Sequence, residues 1–272
     1  MEFKKTGSFV LALLLMLSTL VVLPVGAVVE DEAVGWADSD TAKKIYYIAS
    51  AADMKSFQAD TAAHSADATV YLTADIDMSG VTEWAPLNSF SGIFDGQGHT
   101  VSNLSYSVSA NNGAAFIKLF DGTIQNVTFD KISYTATTNV SRLGLVTGHV
   151  YDNNEDGATA WFKNVTVKNG TLSTSVNTSA SIGGFAGQIS APVTFENCVI
   201  TDSVITGQSR NGGFAGYAKA SGSVGFTNCY SNCNITAKSF YTGSFIGYAE
   251  VSTYTFANCV GAGVLQDNAY VG

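Results

Sequence analysis

The residues whose types and spacing could do chemistry most directly are Asp152, Asn154 and Asp156, in the run Asp152-Asn153-Asn154-Glu155-Asp156-Gly157. Side-chain oxygens at alternate positions, with glycine sixth, match the first half of a calcium loop. The match stops at the twelfth position, where Lys163 stands in place of a bidentate acid. An acidic turn closed by Gly157 is the simpler reading. Calcium is the only cofactor the sequence suggests. Asp75-Ile76-Asp77-Met78-Ser79-Gly80 has similar spacing and the same two readings.

The three histidines, His64, His99 and His149, are scattered, and no H-E-x-x-H occurs, which excludes a zincin-type metalloprotease within this chain. P-loop, dinucleotide and G-x-S-x-G signatures are also missing. A polysaccharide lyase or glycoside hydrolase needs carboxylates that converge on one face. Asp75, Asp77 and Asp95 are the acids of the N-terminal third's strongest motif, and Glu196, Asp202, Glu250 and Asp267 share no repeat position. The chain is therefore expected to have no catalytic residues. A carbohydrate-active enzyme and a calcium-dependent glycan-binding module are the alternatives.

Cys198, Cys229 and Cys259 recur at one position of a repeat, and Cys233 does not. Val127 and Val165 fill the same position upstream, so buried free thiols acting as small apolar residues are the simplest account. Neighbouring strands about 4.8 Å apart also permit a bridge such as Cys198–Cys229. A second series is His149, Gln188, Tyr217 and Tyr248, each one residue past a repeat glycine. Facing outward, Tyr217 and Tyr248 would form an aromatic strip suited to glycan contact, and ring stacking that shields the sheet is the plainer expectation.

These positions are set by a repeat. Phe195-Glu196-Asn197-Cys198 returns as Phe226-Thr227-Asn228-Cys229 and Phe256-Ala257-Asn258-Cys259. Each follows a glycine-rich piece: Gly183-Gly184-Phe185-Ala186-Gly187, Gly212-Gly213-Phe214-Ala215-Gly216 and Gly243-Ser244-Phe245-Ile246-Gly247. Fainter copies centre on Asn164, Asn126 and Asn103, giving asparagine spacings of 23, 38, 33, 31 and 30 residues. Self-similarity of this period marks stacked repeats. Apolar residues fall two before, one after and three after each asparagine, so the two-residue strand period slips by one there. A slip is a bend, and asparagine tolerates the left-handed backbone a bend needs. Its amide can also bond to the asparagine of the next repeat. With Ser203-Val204-Ile205-Thr206 and its echoes, each repeat of about 30 residues holds three strands.

The 272 residues are 46% apolar and 13% charged, enough for a core and unlike a disordered chain. A net charge of −9 excludes a nucleic-acid partner, which would require a basic surface. Lys4, Lys5, the apolar run Phe9 to Leu23, Pro24 and Val25-Gly26-Ala27 read as a secretory signal over residues 1–27. The run is short of the roughly 20 residues a span requires, so no membrane span remains once it is removed. Residues 28–44 read as a flexible leader, 45–110 as an N-terminal cap and first coil, and 111–272 as repeats. Within the cap, Ser50 is expected to start a helix over 51–63 with Met54, Phe57 and Thr61 on one face. Tyr270-Val271-Gly272 copies Tyr241-Thr242-Gly243, so the repeats are expected to be cut short, leaving an edge open to association.

The glycine-phenylalanine pieces, the F-x-N-C pieces and the stretch Leu72 to Asp77 through Phe94-Asp95-Gly96-Gln97-Gly98-His99-Thr100-Val101 resemble the GLUG-motif repeat proteins of bacterial surfaces. The likeness runs from about 45 to 272. It implies an all-β, right-handed parallel β-helix behind a short N-terminal capping helix, exported to the cell surface. It also implies a structural, adhesive or ligand-presenting role toward a host or cell-wall glycan or protein. Some such proteins carry wall-anchoring or IgA-type metalloprotease domains, and neither is present in this chain.

Overall fold

A computed structural model describes residues 33–82, 84–108, 115–152, 155–174, 176, 180–219, 223–250 and 253–267. The expected signal at 1–27 and the Tyr270-Val271-Gly272 copy lie outside them. Of the expected leader, residues 33–44 are described, and they are packed against the fold. A 3-10 turn, Trp36–Asp38, lays the Trp36 ring on Tyr46 at 5.2 Å.

The strand Ile45–Ile48 leads into the helix Ala51–Ala59, whose first turn is capped by Ser50: its hydroxyl accepts the Asp53 N–H at 3.1 Å. Met54 and Phe57 are fully buried. The helix is shorter than its periodicity suggests. Asp60 caps a new 3-10 turn, Thr61–His64, by accepting the Ala62 N–H. The tighter winding turns Thr61 outward and puts Ala63 and His64 into the core in its place.

Among the described residues the remaining named elements are all strands, and every named strand pair is parallel. Ile45–Ile48, Thr69–Leu72, Ile93–Asp95, Thr123–Asp130, Ala160–Lys168, Val193–Glu196, Val224–Thr227 and Tyr254–Ala257 each pair with the next. A second sheet of six strands runs from Leu87–Phe90 to Ile246–Ala249 in the same manner. The fold is thus all-β with parallel sheets, and the repeats that begin at Val193 and Val224 each hold three strands. In the repeat that begins at Val193 these are Val193–Glu196, the long bent Val199–Gly212 and Ala215–Ala218.

Between the sheets lie two ladders of phenylalanine. Phe162, Phe195, Phe226 and Phe256 stack at 4.8–4.9 Å with their rings 6–9° from parallel. Phe185, Phe214 and Phe245 form the second stack, and the ladders meet edge to face at 5.3–5.8 Å. Offset stacks and T-shaped contacts are the arrangements that ring quadrupoles favour. Glycine lets the sheets close on this core. A Cβ on Gly216 would lie 2.2 Å from the Ile182 nitrogen, and one on Gly187 would lie 2.6 Å from the Leu143 nitrogen.

Each asparagine expected at a bend has positive φ: 58° at Asn103, 52° at Asn126, 54° at Asn164, 52° at Asn197 and 54° at Asn228 and Asn258. Asn103, however, belongs to a different bend. Phe94 pairs with Ile124 and Asp95 with Gln125, so Gly96 is the residue aligned with Asn126, 30 residues upstream. Ser102 pairs with Asp130 and Lys168 with Thr201, which places Asn103 in a second series with Lys131, Asn169 and Asp202. All four have positive φ. The anomalous 23-residue spacing is thus the distance between two corners.

Candidate functional site

The asparagine bend is the most repeated polar feature, and it is spent on structure. Asn164 Nδ2 donates to Asn126 Oδ1 at 2.8 Å, Asn197 to Asn164 at 3.0 Å, Asn228 to Asn197 at 3.0 Å and Asn258 to Asn228 at 3.1 Å. Every donation points to the preceding repeat. The ladder begins at Asp95, whose Oδ1 accepts from Asn126 at 3.1 Å.

The N-terminal acids are spent in the same way. Asp95 also accepts the Gln97 N–H and the Gln125 side-chain amide. Asp75 accepts the Thr100 N–H at 2.8 Å and lies 3.3 Å from His99 Nδ1. Asp77 accepts from Ser79 N–H and Asn103 Nδ2, which hold its carboxyl below the usual range. Asp77 and Asp95 each close a local turn on an N–H two residues on, while Asp75 ties its turn to the strand that begins at Thr100.

Of the calcium candidates, Asn154 lies outside the described residues. Asp152 takes the N–H groups of Asp156 and Gly157 on its two oxygens, at 3.2 and 3.0 Å, and Asp156 takes that of Ala158 at 2.8 Å. Here the two acids serve as turn caps. Among the described residues no three His, Cys, Asp or Glu side chains gather as a metal site.

His149, Gln188, Tyr217 and Tyr248 do form one row across the second sheet. Tyr217 and Tyr248 stack at 5.4 Å. The Arg210 guanidinium lies over both rings, 4.7 and 5.4 Å from their centres, and Tyr217 is only 7% exposed. The cation thus holds the ring faces that a sugar would need. Arg142 donates to Gln188 at 2.8 Å, and His149 Nε2 meets Ser190 Oγ at 2.8 Å. Burial, reinforced by Arg142, pushes the His149 pKa down to about 3. The sequence placed this row correctly but gave no sign of Arg210, which reaches it from a bend 7 residues before Tyr217 in the chain.

The four thiols are free. Cys198 and Cys229 are buried between Phe layers, their Sγ atoms 3.3 and 3.5 Å from the Phe162 and Phe195 carbonyls. Burial raises Cys198, and contact with Cys198 lowers Cys229 to about 7. Cys233 lies in another strand, opposite Ser203 and Gly263.

The architecture is similar to that of a candidate immunoglobulin A1 protease from Bacteroides ovatus, with a TM-score of 0.52 over 83% of this chain and 78% of that one. At 20% identity the likeness shows the fold alone. In sequence, the chain is 30% identical over 164 residues to halomucin of Haloquadratum walsbyi. That stretch is 56% of this chain and 2% of halomucin. No family model matches the chain.

Proposed function

We propose that the chain is an exported bacterial surface module, built as a right-handed parallel β-helix of the GLUG-motif type, that acts as scaffold, adhesin or ligand-presenting rod without catalysis. The observation that carries this reading is the use made of the repeat. Its phenylalanines stack, its asparagines bond to one another, and the N-terminal acids accept from N–H donors of the fold. Conserving such residues from repeat to repeat lengthens a stack and supplies no reacting group. Likeness to a protein named as a mucin supports an outward-facing place. No helix among the described residues is long and apolar enough to cross a membrane. Proteolysis is not carried over from the solved neighbour, since this chain lacks H-E-x-x-H.

Immunogold labelling of intact producing cells, with an antibody against residues 33–267, tests the assignment. Label on the outer face of unpermeabilised cells is the expected result. Label that appears only after permeabilisation would overturn it.

A further inference from the structure

A cleft of about 580 Å³ separates the helix Ala51–Ala59 and its 3-10 extension from the strand Leu87–Phe90. It is far larger than an inorganic anion and matches the size of a small-molecule site. The chain as a whole carries 22 acids against 13 Lys and Arg. Lys55 and Lys118 line this cleft, and none of the described lining residues is acidic. Both side chains are half-buried.

The Lys118 ammonium is held by a neutral oxygen: its Nζ donates to Asn88 Oδ1 at 3.1 Å. A carboxylate is a stronger acceptor for an ammonium than an amide oxygen is. An entering carboxylate therefore takes over Lys118, and the released Asn88 amide can turn to a hydroxyl. The rest of the lining is of the kind that polyols need. Thr61, Ser65, Ser89 and Ser91 bring hydroxyls, while Ala59, Ala66, Ala85 and Pro86 give small apolar surface for C–H faces. His64 is fixed at the wall by an Nε2–H donated to the Phe57 carbonyl at 2.8 Å, which leaves Nδ1 as an acceptor.

We propose that this cleft binds a sugar acid, a carboxylate-bearing pyranose at a chain end, with the carboxylate on Lys118 and the hydroxyls on the Asn88, Ser and Thr side chains. A neutral sugar would leave the lysine on its amide, and a bare anion would fill a small part of the volume. The site stands apart from the tyrosine row and does not depend on the surface role proposed above.

Isothermal titration of the full chain with a glucuronate-terminated disaccharide tests this. The matched glucose disaccharide, acetate and phosphate serve as separate titrants. The glucuronate probe is expected to bind, and the other three to bind at least about tenfold more weakly, a difference of about 1.4 kcal/mol. Lys118→Met should cost about tenfold in affinity with an unchanged circular dichroism spectrum, and Lys118→Arg should keep most of the binding. No binding at millimolar glucuronate disaccharide, equal binding of acetate or glucose disaccharide, or full binding by a folded Lys118→Met would each overturn the proposal. If Lys118→Met fails to fold, loss of binding in a folded Asn88→Asp, which would pin Lys118 with a competing carboxylate, is the supporting result, and full binding by it the opposing one.

Discussion

Asn126 Nδ2 lies 3.1 Å from Asp95 Oδ1, the oxygen that also accepts the Gln97 N–H at 2.9 Å. The asparagine ladder thus rests on a carboxylate. An asparagine there would bring its own N–H₂ toward the Gln125 amide donor, which bonds the other oxygen at 2.7 Å. A carboxylate accepts at both oxygens and suits the first step of a ladder in which every later member donates backward.

Asp95→Ala should therefore destabilise the fold by about 2–3 kcal/mol, because three donors around a buried position lose their acceptor. Asp95→Asn should cost less, since one oxygen survives. Urea denaturation compares the two, and equal losses would show that the surviving oxygen contributes nothing without the second.

Phe195 is fully buried between Phe162 and Phe226, whereas Phe256, next but one in the same stack, is 53% exposed. Phe195→Ala should cost about 3–5 kcal/mol. Phe256→Ala should cost about 1 kcal/mol or less, because it leaves no closed cavity. Denaturant midpoints at a common m-value measure both.

Asn197 has φ of 52°, donates to Asn164 and accepts from Asn228. Asn197→Ala loses both bonds and pays for a left-handed alanine, together about 2–3 kcal/mol. Asn197→Gly loses the bonds but keeps the bend, so it should be the milder by about 1 kcal/mol. Equal losses in thermal unfolding would say that the bond ladder, rather than the backbone bend, sets the choice of asparagine.

The bends and the core were legible in the sequence because both leave a periodic trace. A phase slip at Asn126, Asn164, Asn197, Asn228 and Asn258 reads directly as a corner. Asn103 misled because a second corner of the same repeat also takes asparagine, at Asn169, so residue type alone could not separate two series that only strand register distinguishes. The start of the first series was hidden for a related reason. It is Asp95-Gly96, and the turn Gln97-Gly98 carries the positive φ there instead. The Arg210 contact was illegible because the residue type changes at its repeat position, where Tyr241 stands in the next repeat, and the lysine-lined cleft because it joins the cap helix to strands of the second sheet.

His149 is buried with its pKa near 3, below the 6.5 of an exposed imidazole. Protonation thus favours the unfolded chain. The contribution of neutral His149 is whole above pH 6.5 and is lost as pH falls toward 3, by at most about 1.4 kcal/mol per unit. His149→Gln should flatten the fall in melting temperature between pH 6.5 and 4. An unchanged slope would place the acid sensitivity elsewhere, His64 being next, since burial lowers it as well.

A ladder whose rungs all lean on the one below is indifferent to how many stand above. Taking repeats from the far end uncovers another Phe pair but strips no side-chain amide of the asparagine ladder of its acceptor, whereas cutting after Asp95 takes the carboxylate from under Asn126, the first rung. Residues 33–219 should accordingly stay folded, with a lower melting temperature, while residues 109–267 should not fold. Length in this architecture is then adjustable from one side only. Duplication and loss of coding units can then add or remove repeats at the far end while the N-terminal helix and Asp95 stay fixed, which makes repeat number the quantity most open to natural variation.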